Sequence, residues 1–376
     1  MKFQFSIASQ ADDPELRQLI AECPMPGKIG VAFEREPEFF KGCSVSGHKH
    51  KVYIARNIED GDMAMLAVTA DLPRFMGRYV KTIGYLGQLR VAEKYLGYFL
   101  PLRAMKFFHE QEDKNGPELF FSVVSRENIT PRQIFNEHPR PGFPQSIPFG
   151  NIYTAGIMVG RKKKIKKIPF KIQKGAPVLL DDIITFLNHE GARKPLHPHY
   201  SRSDFTENEL TRGFKLDDMR IAYRGKEIIG TVGFWDQSTY KQSVVSSYPC
   251  SLRLIRPFYN IAAKFFNPVT GLPPLPRIGE SIKSAYGAFI CIKNNDQTVF
   301  QALLNQVYNI AAEQGKHHLL VGLAENDPLI ECVKEYRHIA YESSIFLFSL
   351  RGAPSDYFNA THLKGREAPY IEIAAL

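Results

Sequence analysis

Three histidine pairs, His48/His50, His197/His199 and His317/His318, are the residues that most invite a chemical reading. Their spacing suits strands or loops, and no fourth ligand stands near any of them, so neither a structural nor a catalytic metal is expected. Cys43 lies shortly before His48, and a thiol beside an imidazole could act as a nucleophile. Nothing else in the sequence supports that pairing. The five cysteines (Cys23, Cys43, Cys250, Cys291, Cys332) are odd in number, scattered and without a CxxC pair. That pattern speaks against a disulfide framework or zinc site and for a reducing, cytoplasmic setting. GxSxG, Walker and Rossmann fingerprints are absent.

Charge offers one more candidate. The net charge is +9, yet residues 1–160 balance to +1 and residues 176–376 to zero, while 161–175 hold eight bases and no acid. A broad nucleic-acid-binding face is therefore not expected. The stretch 161–174 reads either as a solvated linker or as a weak attractor of an acidic partner, effective only within about 8 Å at physiological salt.

The elements that must position such residues follow from periodicity. A chain of 376 residues favours two domains. No apolar run approaches the roughly 18 residues of a membrane span, and the start lacks a secretory pattern. Lys2–Ile7 alternates apolar and polar, and a helix capped by Asp12 and Asp13 follows with Leu16, Leu19 and Ile20 at helical spacing. The same order returns 165 residues later: Lys167–Ile172 alternates, then Asp181 and Asp182 precede Ile183, Ile184, Phe186 and Leu187. Val52–Arg56 and Met63–Val68 read as a strand pair, matched by Arg220–Arg224 and Glu227–Val232 around a tight Gly225-Lys226 turn. Leu119–Asn128 resembles His318–Asn326, now at an offset of 198, which implies an insertion near 248–282. Within it, the apolar residues of Ser251–Phe266 are expected to pack in the core or between domains, with a lid or membrane-contacting helix as the alternative. Long helices are expected at Pro101–Glu112 and Thr298–Gln314, each between two strands.

The run Tyr85–Leu102 (YLGQLRVAEKYLGYFLPL) resembles the central strand, loop and helix of the GNAT family, the Gcn5-related N-acetyltransferases. That resemblance implies an α/β (α+β) chain of two tandem GNAT-like domains, each a mixed, mostly antiparallel sheet flanked by helices. The first would span 1–160, a basic linker 161–175, and the second, more diverged, 176–376. It also implies acetyl-CoA or another acyl-CoA as cosubstrate, no metal, and an unidentified small-molecule or peptide amine as acceptor. Loop amides at a helix start would hold the cofactor's phosphates. Aligned on Val91, Leu96 takes the family's Gln/Arg position, Phe99 its first glycine and Pro101 its Gly/Ala, while Gly97 remains. The candidate cofactor residues are thus Leu89, Arg90, Val91, Leu96, Gly97, Tyr98, Phe99 and Leu100, with Asn128 after the next strand. Phe135 stands where many members place a proton-donating tyrosine. Tyr85 and Glu93 are the candidate catalytic groups, Tyr85 needing a lowered pKa to act as a base. In the second half Asp296, an expected N-cap, would repel a phosphate, so no cofactor is expected there. Phe99, Pro101 and Phe135 equally suit a non-catalytic binding or scaffold protein on the same fold.

Overall fold

Alternation decides which strand faces meet which helix. In β1 (Phe3–Ile7), β3 (Lys49–Asn57), β4 (Met63–Met76) and β5 (Tyr79–Val91), successive side chains leave opposite faces of the sheet. Val52, Ile54, Leu66 and Val68 share one face, where they bury Leu16, Leu19 and Ile20 of α1 (Asp13–Glu22) with Phe39 of α2 (Phe39–Cys43). Tyr53 and Ala55 point the other way, toward Phe108 and Leu100 of α3 (Leu100–Gln111). The computed structural model describes all residues except 26, 28, 78, 113–115, 129–134, 136–143, 166, 208, 271, 352–353 and 355–367, and only the backbone of 266–270.

The remaining elements are β2 (Gly30–Glu34), β6 (Leu119–Ser125), β7 (Ser146–Met158), β8 (Lys171–Lys174), α4 (Leu180–Gly191), α5 (Ser203–Thr206), β9 (Met219–Arg224), β10 (Glu227–Trp235) and β11 (Gln242–Ser247). After them come α6 (Cys250–Thr270), β12 (Ser284–Ile292), α7 (Gln297–Glu313), β13 (His318–Ala324), α8 (Ile330–Lys334) and β14 (His338–Ser349). The second half repeats the layering of the first. Ile183, Phe186 and Leu187 of α4 pack on Ile221 and Ile228, while α7 covers Ala222, Ile229 and Val232 on the opposite face. The Gly225-Lys226 turn is tight because Gly225 adopts φ +65°, which places Arg224 opposite Glu227.

Twelve strands form one mixed sheet in the order β1-β3-β4-β5-β6-β14-β7-β13-β12-β10-β9-β8. Only β5–β6 and β12–β13 run parallel; the other pairs in this sheet are antiparallel. At the centre the halves exchange strands. β14, from the end of the second half, pairs with β6, and β7, which precedes the basic segment, pairs with β13. A second, two-stranded sheet ties β2 to β11 across the halves.

Three expectations need correction. The strand expected at Lys167–Ile172 forms instead at Lys171–Lys174, because Pro169 has no N–H for an earlier ladder. The basic segment does not simply extend into solvent. Asn309 of α7 exchanges two hydrogen bonds with the Lys163 backbone (2.8 and 3.0 Å), Lys162 pairs with Glu313 at 2.7 Å, and the Lys163 ammonium sits 4.2 Å from the Tyr336 ring centroid. Lys163→Gln will therefore lower stability by about 0.5–1 kcal/mol in denaturant titration, while Lys164→Gln leaves it unchanged. Lys166 lies outside the described residues. Finally, α6 is not a core helix. Arg256, Tyr259 and Asn260 bond to the carbonyls of Pro273, Leu275 and Pro276, and that anchoring turns Leu254, Ile255, Phe258, Ile261 and Phe265 outward. No helix among the described residues is long and apolar enough to cross a membrane.

Candidate functional site

Strand β5 bends where its ladder fails. Val68 pairs with Gly87 and Leu66 with Arg90, so Gln88 and Leu89 face the single residue Ala67. This bulge puts Gln88 at φ +55°, a left-handed conformation that glutamine adopts only under constraint. Below the bulge β5 meets β6 over two register positions, Gly84↔Phe120 and Tyr85↔Phe121, and above it the strands separate. The backbone of Gln88 and Leu89 is thereby turned into an open V.

Past Val91 the chain makes a short helical turn (Glu93–Tyr95), extends at Leu96, and enters α3 through Gly97 at φ +91° and Phe99 at φ +54°. The N–H groups of Gly97, Phe99 and Leu100 meet no acceptor among the described residues. Leu96, Tyr98 and Phe99 are exposed, so the amides at the start of α3 lie in a solvent-facing loop. Pro101 has no donor to contribute, but it sits in the first helical turn, where its fixed φ is at home.

The second half builds the same bulge and then fills it. Thr231 pairs with Cys291 and Gly233 with Ala288, leaving Phe289 at φ +52° and Ile290 in the places of Gln88 and Leu89. Here the Phe289 N–H donates to Glu372 Oε2 at 2.7 Å and the Ile290 N–H to the Tyr370 hydroxyl at 3.2 Å. Ile373 packs against Gly322 of β13, where a Cβ would come within 2.3 Å of it. Residues 370–375 thus occupy the second V. No described side chain accepts from Gln88 or Leu89 in the first. Asp296 caps α7 by accepting from the Thr298 and Val299 N–H groups, which leaves a carboxylate where an anion would have to sit.

The sequence-derived candidates fall into separate places. Leu89, Arg90 and Val91 form the upper arm of the V, while Leu96, Gly97, Tyr98, Phe99 and Leu100 form the loop and first turn of α3. Tyr85 lies at the base of the V, buried, with its ring 5.2 Å from that of Phe121, and burial pushes its hydroxyl up to about 12. It remains a phenol at neutral pH. Glu93 is exposed beyond the end of β5, about 20 Å of strand away from Tyr85, so the two do not meet. Asn128 sits in the turn after β6 with its N–H on the Ser125 carbonyl. Phe135 stacks on Phe346 and lies tilted against Phe348 in an aromatic cluster under α3.

The histidine and thiol candidates are dispersed as well. Cys43 is buried with its thiol pushed up to about 11, while His48 binds Asp204 of the second half at 2.6 Å, which raises its pKa. His197 is buried, hydrogen-bonded to the Pro198 carbonyl at 2.7 Å, and burial lowers its pKa to about 3. A buried histidine held neutral binds its proton only on unfolding, so its contribution is full above about pH 6.5 and is lost on acidification below it. The stability of the wild type should fall by up to about 1.4 kcal/mol per pH unit between pH 6 and 4 from this group, and His197→Gln should flatten that slope. Urea titrations across pH measure it.

Of the other wall of the V, sequence reasoning named Arg90 alone and missed Arg35 and Lys241. On the α1 side, Arg35 after β2, Arg90 on β5 and Lys241 before β11 converge on the cleft between the halves, beside Tyr85. Burial lowers the pKa of Arg90, and that of Lys241 well below the usual lysine value. No motif joins residues so far apart in the chain; the pairing of β2 with β11 brings them together.

Neither a protein-family model nor a curated protein matches this sequence. Solved structures do match its shape. A GCN5-related N-acetyltransferase from Sphaerobacter thermophilus aligns over 93% of this chain and 96% of its own, with 12% identity and a TM-score of 0.57. Saccharomyces cerevisiae N-myristoyltransferase with bound myristoyl-CoA aligns over 94% and 84%, with 10% identity and a TM-score of 0.62. An Enterococcus faecalis V583 protein described as a probable N-acyltransferase aligns over 95% and 74%, with 11% identity and a TM-score of 0.52. With its bulged, splayed parallel pair and helices on both faces of a mixed sheet, the chain has the GNAT-type acyltransferase fold.

Proposed function

We propose that this protein transfers an acyl group from acetyl-CoA or another acyl-CoA to an amine, with the cofactor between β5 and β6 and the acceptor in the cleft between the halves. One observation carries the reading. Both halves share the bulge and the V, and among the described residues only in the first are the bulge amides without a side-chain acceptor. In this reading residues 1–160 are the cofactor-binding unit, 161–175 the connection, and 176–376 a duplicate whose own V is closed by residues 370–375. The five free thiols accord with a cytoplasmic setting.

Bound acyl-CoA supplies an activated thioester. The chain's part is binding and orientation. The Gln88 and Leu89 amides are placed for an acyl oxygen, and those of Gly97, Phe99 and Leu100 for phosphate oxygens, aided by the α3 dipole. Because Tyr85 stays protonated, the acceptor amine must arrive neutral or lose its proton to water.

Calorimetric titration with acetyl-CoA and longer acyl-CoAs tests this, followed by thioester consumption in the presence of amines. Heat and a thermal shift are expected; neither at millimolar ligand overturns the reading. A non-catalytic acyl-CoA-binding protein is the second reading, favoured by the ring-packed Phe135 and the protonated Tyr85. Binding without turnover of any amine would select it.

A further inference from the structure

One cation in the cleft, Arg35, has no partner among the described residues. Arg35 is 3% exposed, makes no hydrogen bond or ion pair with the described residues, and its Nε is a buried donor without an acceptor among them. Its stem crosses Gly42 of α2 so closely that a Cβ there would lie 1.9 Å from Arg35 Cδ. The absence of a side chain at Gly42 gives the guanidinium its route inward. Arg35 borders a cavity of about 30 Å³, room for roughly two waters or one carboxylate. Gln237, Gln242, Ser243, Ser284 and Tyr286 are among the other lining residues, and Gln237 Oε1 is also buried without a partner among the described residues. Lys241 adds a second cation from the other half but directs its protons to the Ala374 and Leu376 carbonyls, at 2.9 and 2.7 Å. Glu36, the next residue in the chain, holds Arg17 at 2.7 Å, and Glu372 takes the Phe289 N–H.

An unpaired buried guanidinium is strongly unfavourable, and its planar fork matches a carboxylate through two parallel hydrogen bonds. We infer that Arg35 anchors a carboxylate of the acceptor, so that the amine this protein acylates belongs to a carboxylate-bearing molecule such as an amino acid. That the bound molecule is the acceptor rests on the function proposed above; the anion site itself does not. The serine hydroxyls and the second Gln237 amide proton supply further hydrogen bonds, the Gln242 amide being held by the Glu36 and Ser238 carbonyls, and the side chain beyond the carboxylate extends toward the opening between the halves.

The test uses the full chain without acyl-CoA. Glycine and acetate carrying ¹³C at the carboxyl are titrated into the protein, with glycinamide as the amine that lacks a carboxylate. Carboxyl line broadening is expected for glycine and acetate, with no competition from glycinamide. Arg35→Gln should weaken glycine binding at least tenfold, and Arg35→Lys should retain part of it, since the charge stays and the fork is lost. Should Arg35→Gln fail to fold, Arg35→Lys and Ser243→Leu, which fills the cavity beside an intact Arg35, decide the matter. No broadening at high millimolar ligand, equal competition by glycinamide, or unchanged affinity in these variants overturns the proposal. So does an Arg35→Gln protein that melts earlier yet binds glycine as before, a result that assigns Arg35 to holding residues 370–376. Glycine binding through Arg35 with no acyl-CoA binding would sink the acyltransferase reading and leave the anion site standing.

Discussion

Glu372→Ala will lower the melting temperature by about 4–6 °C. The Glu372 carboxylate accepts from the Phe289 N–H at 2.7 Å, the Tyr370 hydroxyl at 2.8 Å and the Ala374 N–H at 3.3 Å, all buried. Removing it strands three donors at once, a loss of about 3–5 kcal/mol. An unfolding entropy of about 2.1 cal/mol/K per residue turns that into the stated shift for this chain. Arg74 and Lys241, both within electrostatic reach of Glu372, also lose the acid that offsets them. Scanning calorimetry beside the exposed control Glu331→Ala makes the measurement. A change below about 1 °C would show that residues 370–375 are held by their apolar side chains alone.

The second large effect separates the two Vs. Val123 of β6 and Gly322 of β13 stand two residues beyond corresponding register pairs, Tyr85↔Phe121 and Tyr286↔Leu320. Val123 is half-buried at the open V, whereas Gly322 lies under Ile373. Val123→Trp should reduce acyl-CoA affinity at least a hundredfold, about 2.7 kcal/mol, while the protein stays folded. Gly322→Val should leave that affinity intact and destabilise the fold by about 1–3 kcal/mol, because Ile373 has nowhere to go. Acyl-CoA binding that survives in Val123→Trp would move the cofactor away from the β5–β6 gap.

Much of this fold is local and therefore legible. Val52–Arg56, Met63–Val68, Arg220–Arg224 and Glu227–Val232 are short apolar runs because helices cover both faces of the sheet there, and each lies within a strand. The two long helices run at Leu100–Gln111 and Gln297–Glu313, within a residue of their expected bounds. What stayed hidden is non-local. Nothing in β7 or β14 records which partner lies beside it, since an apolar strand buried at the centre looks alike against any neighbour. The bulge escaped notice because Gln88 and Phe289 are held left-handed by tertiary contacts, with no glycine or asparagine to announce it. Glu372 between Ile371 and Ile373 reads as one polar position in an alternating run, yet it is 3% exposed. Arg35 belongs to no motif, and only the β2–β11 pairing brings it to Gln242 and Ser243.

The exchange of β7 and β14 also sets a timetable for synthesis. When Ser125 leaves the ribosome, β6 is an unpaired edge, and its partner begins only at His338. At about 5–20 residues per second, that edge waits roughly 10–40 s for its neighbour. During the wait Phe120, Phe121, Val123 and Val124 form an open apolar template for any passing strand, the situation in which nascent chains aggregate or pair with a second copy. The central sheet is therefore completed only once β14 has been made, and a chain interrupted between the halves leaves β6 and β7 without the strand that joins them.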